Sequence, residues 1–202
     1  MPIKIILFFI FCYLLGSIPF AYLAGRVLKG IDIRGHGSKN IGATNVSRVL
    51  GRIPGIAVFI LDFSKGLVLV LLAGYIFKSQ ENVLTIKILS GLLGVFGHIW
   101  TVFLSFKGGK GVAAGFGVMV GLVPKSALIV LFVWITIVML SRYISLGSIS
   151  ASLLLPVFVF FIEKDKGGLF VFTLIMSVII ICKHRGNIER LLSGTENKIG
   201  RG

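Results

Sequence analysis

Three short polar stretches interrupt an otherwise apolar chain, and each offers groups that suit an anion. The first is "GIDIRGHGSKNIGATNVSRVLG", from Gly30 to Gly51. Gly35, Gly37 and Gly42 permit tight turns and close approach of backbone to a ligand. Ser38, Asn40, Thr44 and Asn45 offer neutral hydrogen bonds. A helix starting near Gly42 would put Thr44 and Arg48 on one face. Its leading amides would then favour an anion. An ordinary polar loop is the plainer alternative, but the density of Gly, Asn, Ser and Arg favours a ligand site.

The second stretch is "FKGGKGVAAGFG", from Phe106 to Gly117. Gly108, Gly109 and Gly111 could expose a run of backbone N–H groups, a nest of the kind that holds phosphate. Lys107 and Lys110 would add point charge. The resemblance to a nucleotide loop of the Gly-x4-Gly-Lys-Ser/Thr type is superficial: Leu104 stands where its first glycine belongs, and Gly111 where its hydroxyl belongs. Two lysines snorkelling from a helix end would explain Lys107, but not the glycines. The third stretch is "KHRGNIERLLSGTEN", from Lys183 to Asn197. On a helix His184, Asn187 and Leu191 share a face, and Ile188, Leu191 and Leu192 make an apolar edge suited to a membrane surface. His184 is a general base, a ligand donor or an interfacial histidine.

The chain has few acids: Asp32, Asp62, Glu81, Glu163, Asp165, Glu189 and Glu196. None cluster in a way that would hold Mg²⁺ between substrate phosphates, so no metal site is expected. No Gly-x-Ser-x-Gly elbow occurs. Cys12 and Cys182 lie far apart, in or beside apolar segments, and suit neither a disulfide framework nor a covalent mechanism. What remains is a cation-rich, amide-rich pocket for phosphorylated or otherwise anionic small molecules, without a cofactor. Asp62 and Lys65, three residues apart in an apolar run, are read as an ion pair supporting that pocket from behind, since charges in such a run are normally paired. His98 is either structural or part of the lining.

The elements that must position these groups are membrane helices. Of 202 residues, 56% are hydrophobic and 14% charged, against roughly 25% charged in a soluble domain. Mean hydropathy is +1.01. Apolar runs predict an all-α polytopic membrane protein, a single domain over 1–202. Its seven helices are placed near 3–24, 54–77, 84–105, 112–123, 126–141, 146–162 and 168–182. The fourth would be only about 18 Å long, short of a bilayer core.

The first run is read as a helix and not a secretory signal, because Lys4 is its only basic lead and no clean cleavage site follows. The net charge of +14 would suggest nucleic acid on a soluble protein. Here basic residues sit at the ends of apolar runs, so orientation and anionic ligands account for them and no nucleic-acid partner is expected. With the N-terminus outside and the C-terminus inside, inner segments hold fourteen Lys and Arg, Arg201 among them, and outer segments six, including Lys166. That bias favours N-out, C-in. It puts all three polar stretches on the cytoplasmic side.

In order and spacing along the whole chain, "GSIPFAYLAGRVLKGIDIRGHGSKNIGATNVSRVLG", "FKGGKGVA" and "HRGNIERLLSGTE" resemble the bacterial acyl-phosphate:glycerol-3-phosphate acyltransferases. The resemblance implies a seven-helix inner-membrane enzyme with its motifs facing the cytoplasm. It implies transfer of a fatty acyl group from acyl phosphate to the 1-hydroxyl of glycerol 3-phosphate, giving lysophosphatidate and phosphate and opening phospholipid synthesis. Partners would be these two substrates, membrane lipid, and a soluble enzyme that makes acyl phosphate.

By similarity, Ser38, Asn40, Gly42, Thr44, Asn45 and Arg48, with Lys107, Gly108, Gly109, Lys110 and Gly111, bind the phosphates. His184 and Asn187 complete the pocket. Lys110, His184 and Asn187 are the catalytic candidates. The hydroxyl proton goes to His184 or to a substrate phosphate, the family resemblance favouring the latter. Lys39 departs from the family pattern, which usually has glycine there. Gly186 and Ala114 depart where a larger polar residue and threonine are common. A phosphate or organic-anion transporter is the alternative reading, but no internal repeat or midplane polar path supports it.

Overall fold

The computed structural model describes residues 2–164 and 166–200. Asp165 and Arg201 lie outside the described residues, as does the side chain of Lys166. Every regular element among the described residues is helical, as expected where backbone polar groups must pair without water. The chain falls into two compact units, Met1–Gly121 and Leu122–Gly202.

The first unit holds α1 (Pro2–Ser17), α2 (Phe20–Lys29), α3 (Ala43–Leu50), α4 (Arg52–Ile76), α5 (Val83–Ile99) and α6 (Val112–Leu122). The continuous helix expected over 3–24 is in fact two, bent by 41° at Ile18–Pro19. Pro19 has no N–H to donate to the Leu15 carbonyl, so the helical ladder breaks there. The Nζ of Lys65 donates to the Ile18 carbonyl at 2.9 Å. A left-handed Gly30 (φ 66°) ends α2, with the Gly30 and Ile31 amides donating to Arg26 and Gly25. This is the usual glycine stop.

Two apolar clusters organise this unit. Phe8, Cys12, Leu69, Ala73, Phe77 and Ile86 join α1, α4 and α5. Ala21, Ile33, Ile41, Val46, Val58 and Leu104 tie the first polar loop to the helices beneath it. Fully burying side chains such as Ile33, Ile41 and Val46 stabilises each anchor by about 1.5–3 kcal/mol. In the helix pairs themselves, close backbone approach replaces the hydrophobic effect. A Cβ on Gly16 would strike the Gly94 carbonyl, one on Gly97 the Tyr13 carbonyl, and one on Gly66 the Ala114 carbonyl.

The second unit holds α7 (Pro124–Ser141), α8 (Ile144–Ile162), α9 (Lys166–Lys183) and α10 (Arg185–Leu192). α8 packs on both α7 and α9, and Trp134 Nε1 donates to Ser148 Oγ at 3.2 Å. α10 turns away from α9 by 58°. By length and composition α4, α5 with its following 3-10 turn, α7 and α8 can each cross a membrane, and among the described residues the number rises to at most six if each bent pair is one span. α6, at 11 residues, is as short as its sequence predicts.

Gly97→Val should destabilise the detergent-solubilised protein by about 1–3 kcal/mol through overpacking of α1 against α5. A thermal midpoint equal to that of the unsubstituted chain would contradict this packing.

Candidate active site

The first loop is built around Asn45, which is fully buried on α3. Its Oδ1 accepts from the Ser38 amide at 2.7 Å. Its Nδ2 donates to the carbonyls of His36 and Asn40, both at 3.0 Å, and to Ile33 at 3.3 Å. One side chain therefore closes the turn from residue 33 to 40. The expectation that Asn45 binds phosphate needs correcting. Its donors and its acceptor serve the loop's own backbone, so it shapes the site without offering a free group. Helix α3 does start at Gly42, its N-cap, as the spacing predicts. Half-buried Thr44 and exposed Arg48 lie one turn apart on it, and Ser38, Asn40 and Gly42 are half-buried around its start.

Lys39 is left-handed, with φ 59°. Glycine takes that conformation freely and lysine does not. The departure from the family pattern therefore falls on a backbone position that suits glycine. Upstream, Asp32 caps the 3-10 turn Ile33–Gly35 by accepting from the Arg34 amide. It also pairs with the Arg34 guanidinium at 2.7 Å. Hydrogen bonds from the Arg34 side chain and amide pull its pKa down to about 2. The guanidiniums of Arg26 and Arg34 lie over the ring of Tyr22 at 5.2 and 5.3 Å.

The second stretch differs from the expected nest of open amides. The Gly108 amide donates to the Ile99 carbonyl and the Gly109 amide to the His98 carbonyl, both at 3.0 Å. These glycines are needed for contact. A Cβ on Gly108 would strike the His98 carbonyl, and one on Gly109 would strike His98 Nε2 and the Ile41 carbonyl oxygen at 2.5 Å. Gly109 is thus where the first and second stretches touch. Gly111 is the position that uses glycine's freedom, at φ 87°. Lys107 is exposed and Lys110 half-buried.

Behind this junction lies a cavity with room for no more than about one water, lined by Pro19, Phe20, Ile41, Asp62, His98 and Gly109 among others. Asp62 Oδ1 lies 2.8 Å from Lys65 Nζ and 3.3 Å from His98 Nδ1. The expected pair is present, and His98 is its third member.

In the second unit His184 sits at the turn between α9 and α10, 3% exposed. Its Nδ1 lies 2.8 Å from the Ile180 carbonyl. A carbonyl only accepts, so Nδ1 carries the proton, and in neutral imidazole Nε2 is the basic nitrogen. Asn187 Nδ2 donates to Glu196 Oε1 at 2.7 Å. Ser145 Oγ donates to the same oxygen at 2.9 Å, and Arg190 Nε donates to Oε2 at 2.7 Å. Burial pushes the Glu196 carboxyl up, but the hydrogen bonds from Asn187, Ser145 and Arg190 outweigh it and hold the pKa below the usual range.

Glu196 and Ser145 are not among the residues that the motifs single out. The one available signal was that Glu196 is among only three acids assigned to cytoplasmic segments. Ser145 had none, since its partner lies 51 residues away.

The family model for glycerol-3-phosphate acyltransferase matches residues 6–194. The glycerol-3-phosphate acyltransferase of Fusobacterium nucleatum is 44% identical over 191 residues, covering 95% of this chain and 96% of its own. That of Geobacter sulfurreducens is 49% identical over 186 residues, covering 92% and 93%. The chain belongs to the glycerol-3-phosphate acyltransferase family. Crystal structures of PlsY (YgiH), an integral membrane glycerol 3-phosphate acyltransferase, match this acyltransferase at 41% identity over 98% of the chain. The TM-score is 0.89 for the glycerol 3-phosphate form and 0.86 for the lysophosphatidic acid form. The protein is therefore an integral membrane acyltransferase, and the transporter reading falls away.

Glu196→Gln should lower stability by about 1–3 kcal/mol, the cost of weakening hydrogen bonds to a buried charge. A depressed carboxyl pKa contributes stability above the ordinary glutamate value and loses it as pH falls. The unsubstituted protein should therefore lose thermal midpoint on acidification below that value, and Glu196→Gln should lose less. Parallel pH profiles would contradict the assignment. Lys39→Gly should raise the midpoint by relieving the left-handed backbone, at about 1 kcal/mol; a fall would show that the lysine is needed in place.

Proposed function

We propose that this chain transfers a fatty acyl group from acyl phosphate to the 1-hydroxyl of glycerol 3-phosphate, giving lysophosphatidate and inorganic phosphate. The observation that carries the acceptor and product is the likeness, over nearly the whole chain, to a relative solved in a glycerol 3-phosphate form and a lysophosphatidic acid form. The acyl phosphate donor rests on the three motifs and their order.

In the proposed step the 1-hydroxyl oxygen attacks the acyl carbon. The bond from that carbon to the phosphate oxygen breaks, and phosphate leaves with the electron pair. The hydroxyl proton passes to a substrate phosphate or to His184, whose Nε2 is basic when neutral. Phosphate is already a good leaving group, so positioning and charge stabilisation do most of what is needed. Ser38, Asn40, Thr44, Arg48 and Lys110 are the proposed phosphate contacts. His184 and Asn187 are assigned to the same reaction on motif resemblance.

A metal-free route is supported by the commitments of three of the seven acids, and a non-covalent one by the already activated donor. Asp32 is paired with Arg34, Asp62 with Lys65, and Glu196 with Arg190. The basic bias of the segments carrying the motifs supports an N-terminus out and an active site facing the cytoplasm; a single domain of about seven spans in the bacterial inner membrane, the short α6 counted as one of them, rests on the motif resemblance. A soluble enzyme producing acyl phosphate would supply the donor.

Purified protein with palmitoyl phosphate and glycerol 3-phosphate should form lysophosphatidate, and palmitoyl-CoA should not replace the donor. Product from the thioester alone would overturn the donor assignment. In the same assay Lys110→Ala should lose about 10²- to 10³-fold, the effect of removing a charge-stabilising donor. Lys107→Ala should be mild. Equal small effects would refute this division between the two lysines.

A further inference from the structure

We infer that Asp62, Lys65 and His98 form a buried positioning network that sets the backbone from which Lys110 projects. The inference rests on the reading of Lys110 as a phosphate contact. All three side chains are nearly inaccessible, at 2%, 4% and 8% exposure. A charged pair within an apolar helix is costly to bury. Such pairs can often be replaced by apolar residues of similar volume without loss of stability, so stability alone is a weak reason for this one.

Its connections give a better reason. Lys65 Nζ holds the Ile18 carbonyl at the bend between α1 and α2, at 2.9 Å. Thr101 Oγ1 ties the end of α5 to the same bend through the Ser17 carbonyl, at 2.6 Å. The same Asp62 Oδ1 that pairs with Lys65 lies 3.3 Å from Nδ1 of the His98 ring. The His98 carbonyl accepts the Gly109 amide, and its Nε2 faces the bare Cα of Gly109. Asp62, His98, Ile41, Gly108 and Gly109 line one cavity. A single carboxylate therefore fixes the ring and the main chain against which Gly109 rests, and Lys110 is the next residue. No reacting atom needs to touch the network. Its effect is the placement of a cation, where an error of about 1 Å can cost 10²-fold.

The test uses the full chain purified in detergent, with thermal midpoint and both kinetic constants measured. The double variant Asp62→Leu with Lys65→Met should stay folded, with a midpoint lowered by the lost Lys65–Ile18 hydrogen bond, and should lose about 10- to 100-fold in kcat/KM, the scale of a misplaced group. His98→Ala should fall similarly, and His98→Asn, which restores a donor near the Nδ1 position, should recover much of the loss. A folded double variant with activity within about twofold of the parent would overturn the inference, being the result of a merely structural pair.

If the double variant does not fold, the histidine pair decides. Full activity in His98→Ala overturns the network, and loss rescued by His98→Asn supports it. Lys110→Ala is measured alongside. Its loss of turnover together with active network variants would condemn only the network. Unchanged turnover in Lys110→Ala would condemn the phosphate reading of the loop, and the network's purpose with it.

Discussion

A carboxylate at position 62 sits among apolar helices with almost no water to solvate it. It is held by Lys65 from its own helix and by His98 from α5. Charges so placed are rarely tolerated without partners, and here each partner is joined to something further. Lys65 satisfies the main chain where Pro19 breaks the first helix. His98 supports Gly109, where the two basic stretches of the first unit touch. The bend, the α5 terminus and the glycine loop thus share one anchor. The wet loops inherit their geometry from a dry interaction beneath them.

That inheritance changes how a phosphate would be held. Open backbone amides are the obvious anion site in a glycine-rich loop. In this protein the Gly108 and Gly109 amides are taken by α5, and the glycines serve instead to let segments of the chain approach closely. Asn45 likewise gives its donors to the turn around it. On the proposed reading, recognition of the two phosphorylated substrates passes to side chains, Lys110 and Arg48 foremost, standing on a main chain that is already satisfied. Such a scaffold loses little entropy when a ligand arrives, the condition under which positioning is most effective.

Much of this was legible in the residues. Apolar runs located the helices, and the breakers located the polar stretches. The helix starting at Gly42 followed from spacing. The Asp62–Lys65 pair followed from the cost of an intramembrane charge. The bend at Pro19 was missed because hydropathy runs straight through it, although a proline without its N–H is a physical cause visible in the sequence. The roles of Gly108, Gly109 and Asn45 were misjudged for a different reason. A glycine that frees an amide and a glycine that makes room look the same in a sequence, and only tertiary contacts separate them. Glu196 joins Ser145, Asn187 and Arg190 across distances no local pattern encodes. His98 could be listed as a candidate, but not attached to Asp62, 36 residues away.

On the proposed reading the acyl group passes directly between two phosphorylated substrates on a preset scaffold, and none is parked on the protein. Phosphate release from palmitoyl phosphate, followed by rapid quench with enzyme at substrate-like concentration, tests it most directly. Without glycerol 3-phosphate no burst of phosphate should appear, and with it phosphate and lysophosphatidate should rise together in equal amounts. A burst equal to the enzyme concentration in the absence of acceptor would mean a covalent acyl-enzyme and would contradict direct transfer.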